Sequence, residues 1–418
     1  MATVSQPYEP LVAETSWASG KSAWECLLAI RHEIAGEPLA VWETSDLSFA
    51  GIGAVRRIEA SGPARFTEAR NRLDAAFSGF EPRSADDRVL AVGGFALESD
   101  GRRGWPGFPD LSFVVPERIL LEANGGTQSI HWKGPAAPPS HAGTAPSPSS
   151  SESWDREAWI DAVRRTLARI EEGALLKAVL ARSRTVPLGP GQSALSVYAS
   201  LREAYPTCYR FLIEDGRGNA FLGASPERLV HGLRAGLATE AVAGTQRCGP
   251  GDDTEALADA LLHSIKDRAE HELVVRHLID ALNPICSGLE SIGPEVMRLP
   301  GLLHLRTRLT GGTQGAHVLD LISRLHPTPA VAGSPQGEAL DWIAGIEGGS
   351  RGWYSGGIGW VGDSGCGDFA VGIRSIAIRG NQARVFAGAG IVEGSDPELE
   401  WNETELKMQG MLDAIARA

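Results

Sequence analysis

Apolar and polar positions along the chain fall into short runs of two different periods. Ala91-Val92-Gly93-Gly94-Phe95-Ala96 and Leu111-Ser112-Phe113-Val114-Val115 read as strands. So does Leu175-Leu176-Lys177-Ala178-Val179-Leu180-Ala181, in which a single lysine interrupts the apolar residues. Ala370-Val371-Gly372-Ile373-Arg374-Ser375-Ile376-Ala377-Ile378 and Ala383-Arg384-Val385-Phe386-Ala387 predict a hairpin across Arg379-Gly380-Asn381-Gln382. Helical spacing appears at Trp159, Ile160, Val163, Leu167 and Ile170, predicting a helix from about 155 to 171. Leu257, Leu261, Leu273, Val274 and Leu278 predict one long helix over 254–282, and Leu406, Met408, Met411, Leu412 and Ile415 another over 397–415. Strands and helices interleave without a regular βαβ rhythm, so the fold class is α+β with sizeable antiparallel sheets.

Composition adds boundaries. Residues 134–153 are rich in proline and serine and cannot bury enough apolar surface to order themselves, so they read as a flexible insertion between an N-terminal part, 1–133, and a C-terminal part, 154–418. The 50 glycines among 418 residues favour turns and strands. With 39 basic against 52 acidic residues the formal charge is −13, which argues against nucleic-acid or anionic-membrane binding. An anionic substrate must then be met by a metal or by a few placed cations. The five cysteines show no C-x-x-C spacing, which points to reduced thiols without a zinc site or disulfide framework. No apolar run approaches ~18 residues and no basic-then-apolar leader opens the chain, so a soluble cytoplasmic protein is expected.

Two ionisable residues stand in apolar stretches, Lys177 and, in Gly223-Ala224-Ser225-Pro226-Glu227-Arg228-Leu229, Glu227. Desolvation lowers a lysine pKa and raises a glutamate pKa, so a shared pocket would give a neutral amine as general base and a protonated carboxyl as general acid. The plain alternative for a strand lysine is a side chain that snorkels to water. Two catalytic patterns fail. Ser19-Gly20-Lys21-Ser22 resembles the end of a phosphate loop, but Thr15 replaces its first glycine and no apolar strand precedes it. Gly348-Gly349-Ser350-Arg351-Gly352 matches a nucleophile elbow in letters only, because it lies in a glycine-rich loop. Asp267 and Glu270 share one helix face, as do Glu400, Glu403 and Lys407. Such faces are ordinarily solvated, but two of them meeting at a pocket offer the oxygen-only ligation that Mg²⁺ prefers.

Several of these segments recur together. Leu176-Lys177-Ala178-Val179-Leu180-Ala181-Arg182, Gly223-Ala224-Ser225-Pro226-Glu227, Ala243-Gly244-Thr245, Lys266-Asp267-Arg268-Ala269-Glu270-His271-Glu272, His326-Pro327-Thr328-Pro329-Ala330-Val331-Ala332-Gly333, Gly388-Ala389-Gly390-Ile391-Val392 and Glu403-Thr404-Glu405-Leu406-Lys407 follow the order found in chorismate-utilising enzymes. The chain resembles the isochorismate synthases among them, densely from about residue 154 onward. The resemblance implies one large α+β domain of two stacked antiparallel β-sheets with helices outside, the chorismate-binding fold of anthranilate synthase component I. Lysine at position 177 implies water as the nucleophile, since the ammonia-using anthranilate and aminodeoxychorismate synthases typically lack it. Ala330, where other branches commonly carry threonine, favours isomerisation over the pyruvate elimination of salicylate synthases, which remain the alternative beside a non-catalytic chorismate-binding paralogue.

The implied reaction is the reversible conversion of chorismate to isochorismate. Lys177 activates water for attack at C2, and Glu227 protonates the departing C4 hydroxyl. By the same resemblance Glu270 and Glu403 hold Mg²⁺, with Asp267 and Glu400 acting through metal-bound waters. Amides around Gly244 and Thr245 bind the ring carboxylate, and His304 lines the pocket. Arg374, Lys407 and the amides of Gly388, Ala389 and Gly390 receive the enolpyruvyl carboxylate. A monomer without a glutaminase subunit is implied, its product feeding siderophore, menaquinone or salicylate synthesis. Glu240 departs from the pattern, since many relatives have proline there.

Overall fold

The computed structural model describes residues 11–81, 88–99, 105, 107–133, 154–249 and 251–418. The expected insertion at 134–153 lies outside the described residues. Among the described residues the strands form two sheets. The first has twelve, in the order Gly333–Ser334, Lys177–Pro187, Gln382–Val392, Ser375–Arg379, Asn219–Ser225, Tyr209–Glu214, Leu39–Glu43, Ser48–Ile52, Arg118–Ala123, Gly126–Lys133, Leu11–Ser19 and Phe80–Glu81. The second has nine, in the order Ser287–Leu299, Leu302–Gly312, Gly236–Arg247, Arg228–Gly232, Gly367–Val371, Gly357–Gly362, Leu90–Phe95, Leu111–Val115 and Arg56–Ala60. Pairing is antiparallel throughout except between Leu11–Ser19 and Phe80–Glu81.

Alternation in the strands explains the stacking. Phe211 and Phe221 of the first sheet and Phe95, Phe113 and Phe369 of the second bury their rings in one common core. A second apolar cluster on the outer face of the first sheet seats the helices Ala23–Ile30, Ala194–Ala204 and Pro397–Arg417. Residues on either side of the insertion share both sheets, because Leu39–Glu43 pairs with Tyr209–Glu214 and Leu90–Phe95 with Gly357–Gly362. The expected α+β architecture of two stacked antiparallel sheets is therefore the observed one.

Two expectations about elements need correction. The long helix over 254–282 is two helices, Thr254–His263 and Ile265–Leu282. Ser264 takes an extended ψ of 117° and its hydroxyl accepts the Asp267 amide, so it ends one helix and caps the next. The run from Ala370 to Ile378 is likewise two strands, in different sheets: Gly367–Val371 belongs to the second and Ser375–Arg379 to the first. Only Ser375–Arg379 forms the expected hairpin with Gln382–Val392. Between the two strands the backbone reverses at Arg374, a non-glycine residue with φ of 49°.

A matching crossing joins Asn219–Ser225 of the first sheet to Arg228–Gly232 of the second. The two crossings are stitched together. The Val371 amide donates to the Glu227 carbonyl at 3.0 Å, and the Ala224 amide to the Arg374 carbonyl at 3.0 Å. Thus Glu227 and Arg374 occupy the paired bends where the chain changes sheets.

Candidate active site

One cavity lies over these bends. Its walls include Lys177, Glu227, Gly244, Thr245, Asp267, Glu270, His304, Ala330, Arg374, Gly388, Gly390, Glu400, Glu403 and Lys407. Strand alternation selects which residues reach it. Lys177 and Val179 line the cavity, whereas Ala178 and Leu180 pack into apolar clusters on the other side. On the neighbouring strand Gly388 and Gly390 line the cavity, while Ala389, named for its amide, turns its side chain away. Its side chain is buried against Trp159, Leu180 and Ile391, because residues one apart on a strand point to opposite faces. Gly390 makes room for chemistry: a Cβ there would stand 2.6 Å from Glu270 Oε1 and 2.8 Å from Lys177 Cε.

The carboxylates come from the starts of two helices. Ile265–Leu282 brings Asp267 and Glu270, and Pro397–Arg417, capped by Asp396 and opened by Pro397, brings Glu400, Glu403 and Lys407. Each carboxylate has a protein partner. Glu270 Oε1 meets Lys177 Nζ at 2.8 Å, Glu403 Oε1 meets Lys407 Nζ at 2.5 Å, and Glu400 Oε1 meets Lys266 Nζ at 3.3 Å. Asp267 accepts from the Ser264 hydroxyl and, at 3.3 Å, from the Thr245 amide. Gly244 sits in a β-bulge with φ of 77°, which turns the Thr245 amide toward Asp267. That amide, expected to meet a substrate carboxylate, here serves a side chain. Lys407 also donates to the Gly388 carbonyl at 2.8 Å.

Burial dominates the electrostatics. It pushes the Glu227 carboxyl up to about 8, against the opposing pull of Lys177 and Lys407. Burial would raise Glu270 as well, but Lys177, helped by Lys407 and Lys266, outweighs it and holds that carboxyl below the usual range. Glu400 is pushed up to about 7 by burial and by the neighbouring charge of Glu403. His304, buried and facing Arg374 and Lys407, falls to about 3 and is therefore neutral. Its Nδ1 lies 3.1 Å from the Thr245 hydroxyl. Burial also lowers Arg374 from its ordinary value.

Lys266, Tyr354 and Phe386 line the cavity without having been singled out from sequence. Lys266 was legible in part, since it stands one turn before Glu270 on the same helix. Tyr354 stacks on Phe386 with ring centroids 5.0 Å apart, a contact between distant segments that no local pattern announces. Neither failed motif is catalytic in form. Ser22 caps the helix Ala23–Ile30 in a box with Glu25, and Ser350 follows the helix Gln336–Glu347 instead of a strand. A strand, Leu11–Ser19, does precede Ser22, contrary to expectation, but its apolar part is only Leu11-Val12-Ala13 and most of the rest is exposed.

The oxygen-only set of Glu270, Glu403, Asp267 and Glu400 matches the chemistry of Mg²⁺, which commonly takes one or two carboxylates and keeps its waters. Among the described residues no group of three or more His, Cys, Asp or Glu side chains is arranged to hold a metal ion. Three of the four carboxylates are paired with lysines instead.

Residues 128–416 match the family model described as chorismate binding enzyme, and the chain belongs to that family. The salicylate biosynthesis isochorismate synthase of Pseudomonas aeruginosa is 34% identical over 91% of this chain and 85% of its own. Isochorismate synthase MenF of Bacillus subtilis is 32% identical over 89% and 86%. Within the chorismate-binding enzymes the chain therefore falls among the isochorismate synthases. The solved structure of the menaquinone-specific MenF from Escherichia coli superposes with a TM-score of 0.80 at 27% identity, covering 98% of this chain and 96% of that one. Anthranilate synthase component I from Streptococcus pneumoniae, at 19% identity and a TM-score of 0.67, shares the fold.

Proposed function

We propose that the protein is an isochorismate synthase, interconverting chorismate and isochorismate by adding water at C2 and releasing the C4 hydroxyl. The observation that carries this reading is the meeting of Lys177 and Glu227, each almost wholly buried, at one cavity. With its pKa near 8, Glu227 holds a proton at neutral pH and can give it to the departing hydroxyl, which leaves as water. Lys177 takes a proton from the attacking water as the ring double bonds shift, a role open only to the neutral amine, so the ammonium paired with Glu270 must first give a proton to solvent. The roles exchange in the reverse direction. Arg374 and Lys407 supply cations for the substrate's carboxylates, Arg374 with a planar fork suited to bidentate binding. Neutral His304 and Thr245 border the same space. Mg²⁺ held by Glu270 and Glu403, with Asp267 and Glu400 reaching it through water, would supply a Lewis acid at the ring carboxylate.

Ala330 in the cavity wall supports release of isochorismate with its enolpyruvyl group intact. We further infer a monomeric cytoplasmic enzyme that needs no glutaminase. No helix among the described residues is long and apolar enough to cross a membrane. The test is incubation with chorismate, with and without Mg²⁺, followed by proton NMR of the products and a coupled pyruvate assay. A Mg²⁺-dependent chorismate–isochorismate mixture without stoichiometric pyruvate is expected. Salicylate with equal pyruvate would assign the chain to the lyases, and no turnover would make it a binding paralogue.

A further inference from the structure

The strand Lys177–Pro187 has a short neighbour on one side. Gly333–Ser334 pairs only with Lys177 and Ala178, and the Ala332 carbonyl adds a bond from the Val179 amide at 2.8 Å. Beyond that point the Val179 carbonyl and the Ala181 amide face a place where no strand continues. Two side chains fill it. Arg351 Nη2 donates to the Val179 carbonyl at 2.5 Å, and Glu347 Oε1 accepts the Ala181 amide at 2.8 Å. The two side chains are themselves paired, Arg351 Nε lying 2.9 Å from Glu347 Oε2, and both are almost fully buried. The fork of Arg351 has a further arm: Nη1 donates to the Val331 carbonyl at 2.8 Å.

We propose that Arg351 and Glu347 are a positioning pair that replaces the missing strand and fixes the distance between Lys177 and the Ala330–Val331 wall. Neither residue lines the cavity, so neither touches substrate. Their three main-chain contacts tie together the strand that carries the base and the loop that carries the wall facing it. The Gly348 C-cap, with φ of 64°, turns the chain out of the helix Gln336–Glu347 so that Arg351 can fold back on Glu347 four residues earlier. A guanidinium suits this task better than an ammonium, because its planar donors reach two carbonyls and a carboxylate together. The buried charge is matched within the pair, which limits its desolvation cost.

The inference rests on the isochorismate synthase reading, so wild-type turnover of chorismate is measured first. Absence of turnover by the wild type removes that reading and this one with it. With an active wild type, Arg351→Lys and Glu347→Gln are then compared for kcat, KM, product ratio and far-UV circular dichroism. Misplacement by about 1 Å typically costs on the order of 100-fold in rate, so Arg351→Lys is expected to lose about that much kcat with KM within roughly threefold. Glu347→Gln keeps an acceptor for the Ala181 amide and is expected to lose about tenfold in kcat, again at nearly constant KM. A kcat within about threefold of wild type in either folded variant overturns the positioning role. So does a rise in KM at unchanged kcat. Unfolding of both variants would assign the pair to folding alone and overturn it as well.

Discussion

Lys177 Nζ and Glu270 Oε1 face each other at 2.8 Å, the lysine from the first residue of a sheet strand and the glutamate from the second turn of a helix. Their side chains are 1% and 14% exposed, so neither charge can be left alone without a large desolvation cost. Lys177→Met is therefore expected to destabilise the protein by about 3–5 kcal/mol, and Lys177→Met/Glu270→Gln to recover most of that loss. Urea titration of the four species closes the cycle. A loss in the double variant equal to the sum of the two single losses would show the two groups to be uncoupled.

Glu227 sets the basic limb of the forward reaction. Its pKa of about 8 means that the proton donor disappears as pH rises through that value, so kcat is expected to fall tenfold per pH unit well above it. Glu227→Gln should abolish turnover at every pH. A wild-type rate that stays flat to pH 9.5 (roughly 1.5 units past the donor's pKa) would remove Glu227 from the acid role.

The same group makes stability pH-dependent. Between about 4.5 unfolded and about 8 folded, the native state keeps a proton that the unfolded chain releases, so this group's contribution to stability falls as pH rises through that window. Glu227→Gln lacks the term. Its Tm relative to wild type is expected to climb from pH 5 to pH 8, and a constant difference across that range would contradict the buried, proton-holding carboxyl.

Ala330 offers a test of product choice. Replacing it with threonine adds a hydroxyl to the cavity wall, and Ala330→Thr is expected to raise the ratio of pyruvate to isochorismate. Parallel pyruvate and isochorismate assays on one reaction mixture measure it. An unchanged ratio would deny this position a part in separating the two outcomes.

Metal binding has a readout independent of turnover. Mg²⁺ bound only by the native state raises Tm by mass action, and Glu270→Gln or Glu403→Gln is expected to remove that shift. A shift that persists in both variants would move the cation elsewhere.

Much of the site was legible because its residues interrupt patterns. Lys177 and Glu227 stood out as charges in apolar runs, and Glu400, Glu403 and Lys407 as one face of a helix. The two-sheet architecture followed from the same alternation together with the family resemblance. Local pattern failed where tertiary contacts decide. Ser264 breaks the segment in the gap between Leu261 and Leu273, which the apolar stripe leaves undefined, and the apolar alternation around Gly372 conceals a change of sheet. Period also cannot name distant partners, so the Lys266–Glu400 pair was invisible until the fold joined the two helices.

The strand that carries Lys177 pairs along its whole length with Gln382–Val392, so the base is seated by residues made much later. At ~5–20 residues per second, a ribosome needs roughly 10–40 s to travel from the first of these strands to the second. During that interval the nascent chain exposes an unpartnered apolar strand and has no helix to supply Glu403 or Lys407. The enzyme cannot begin work half-made, because the base is seated only when the last strand arrives.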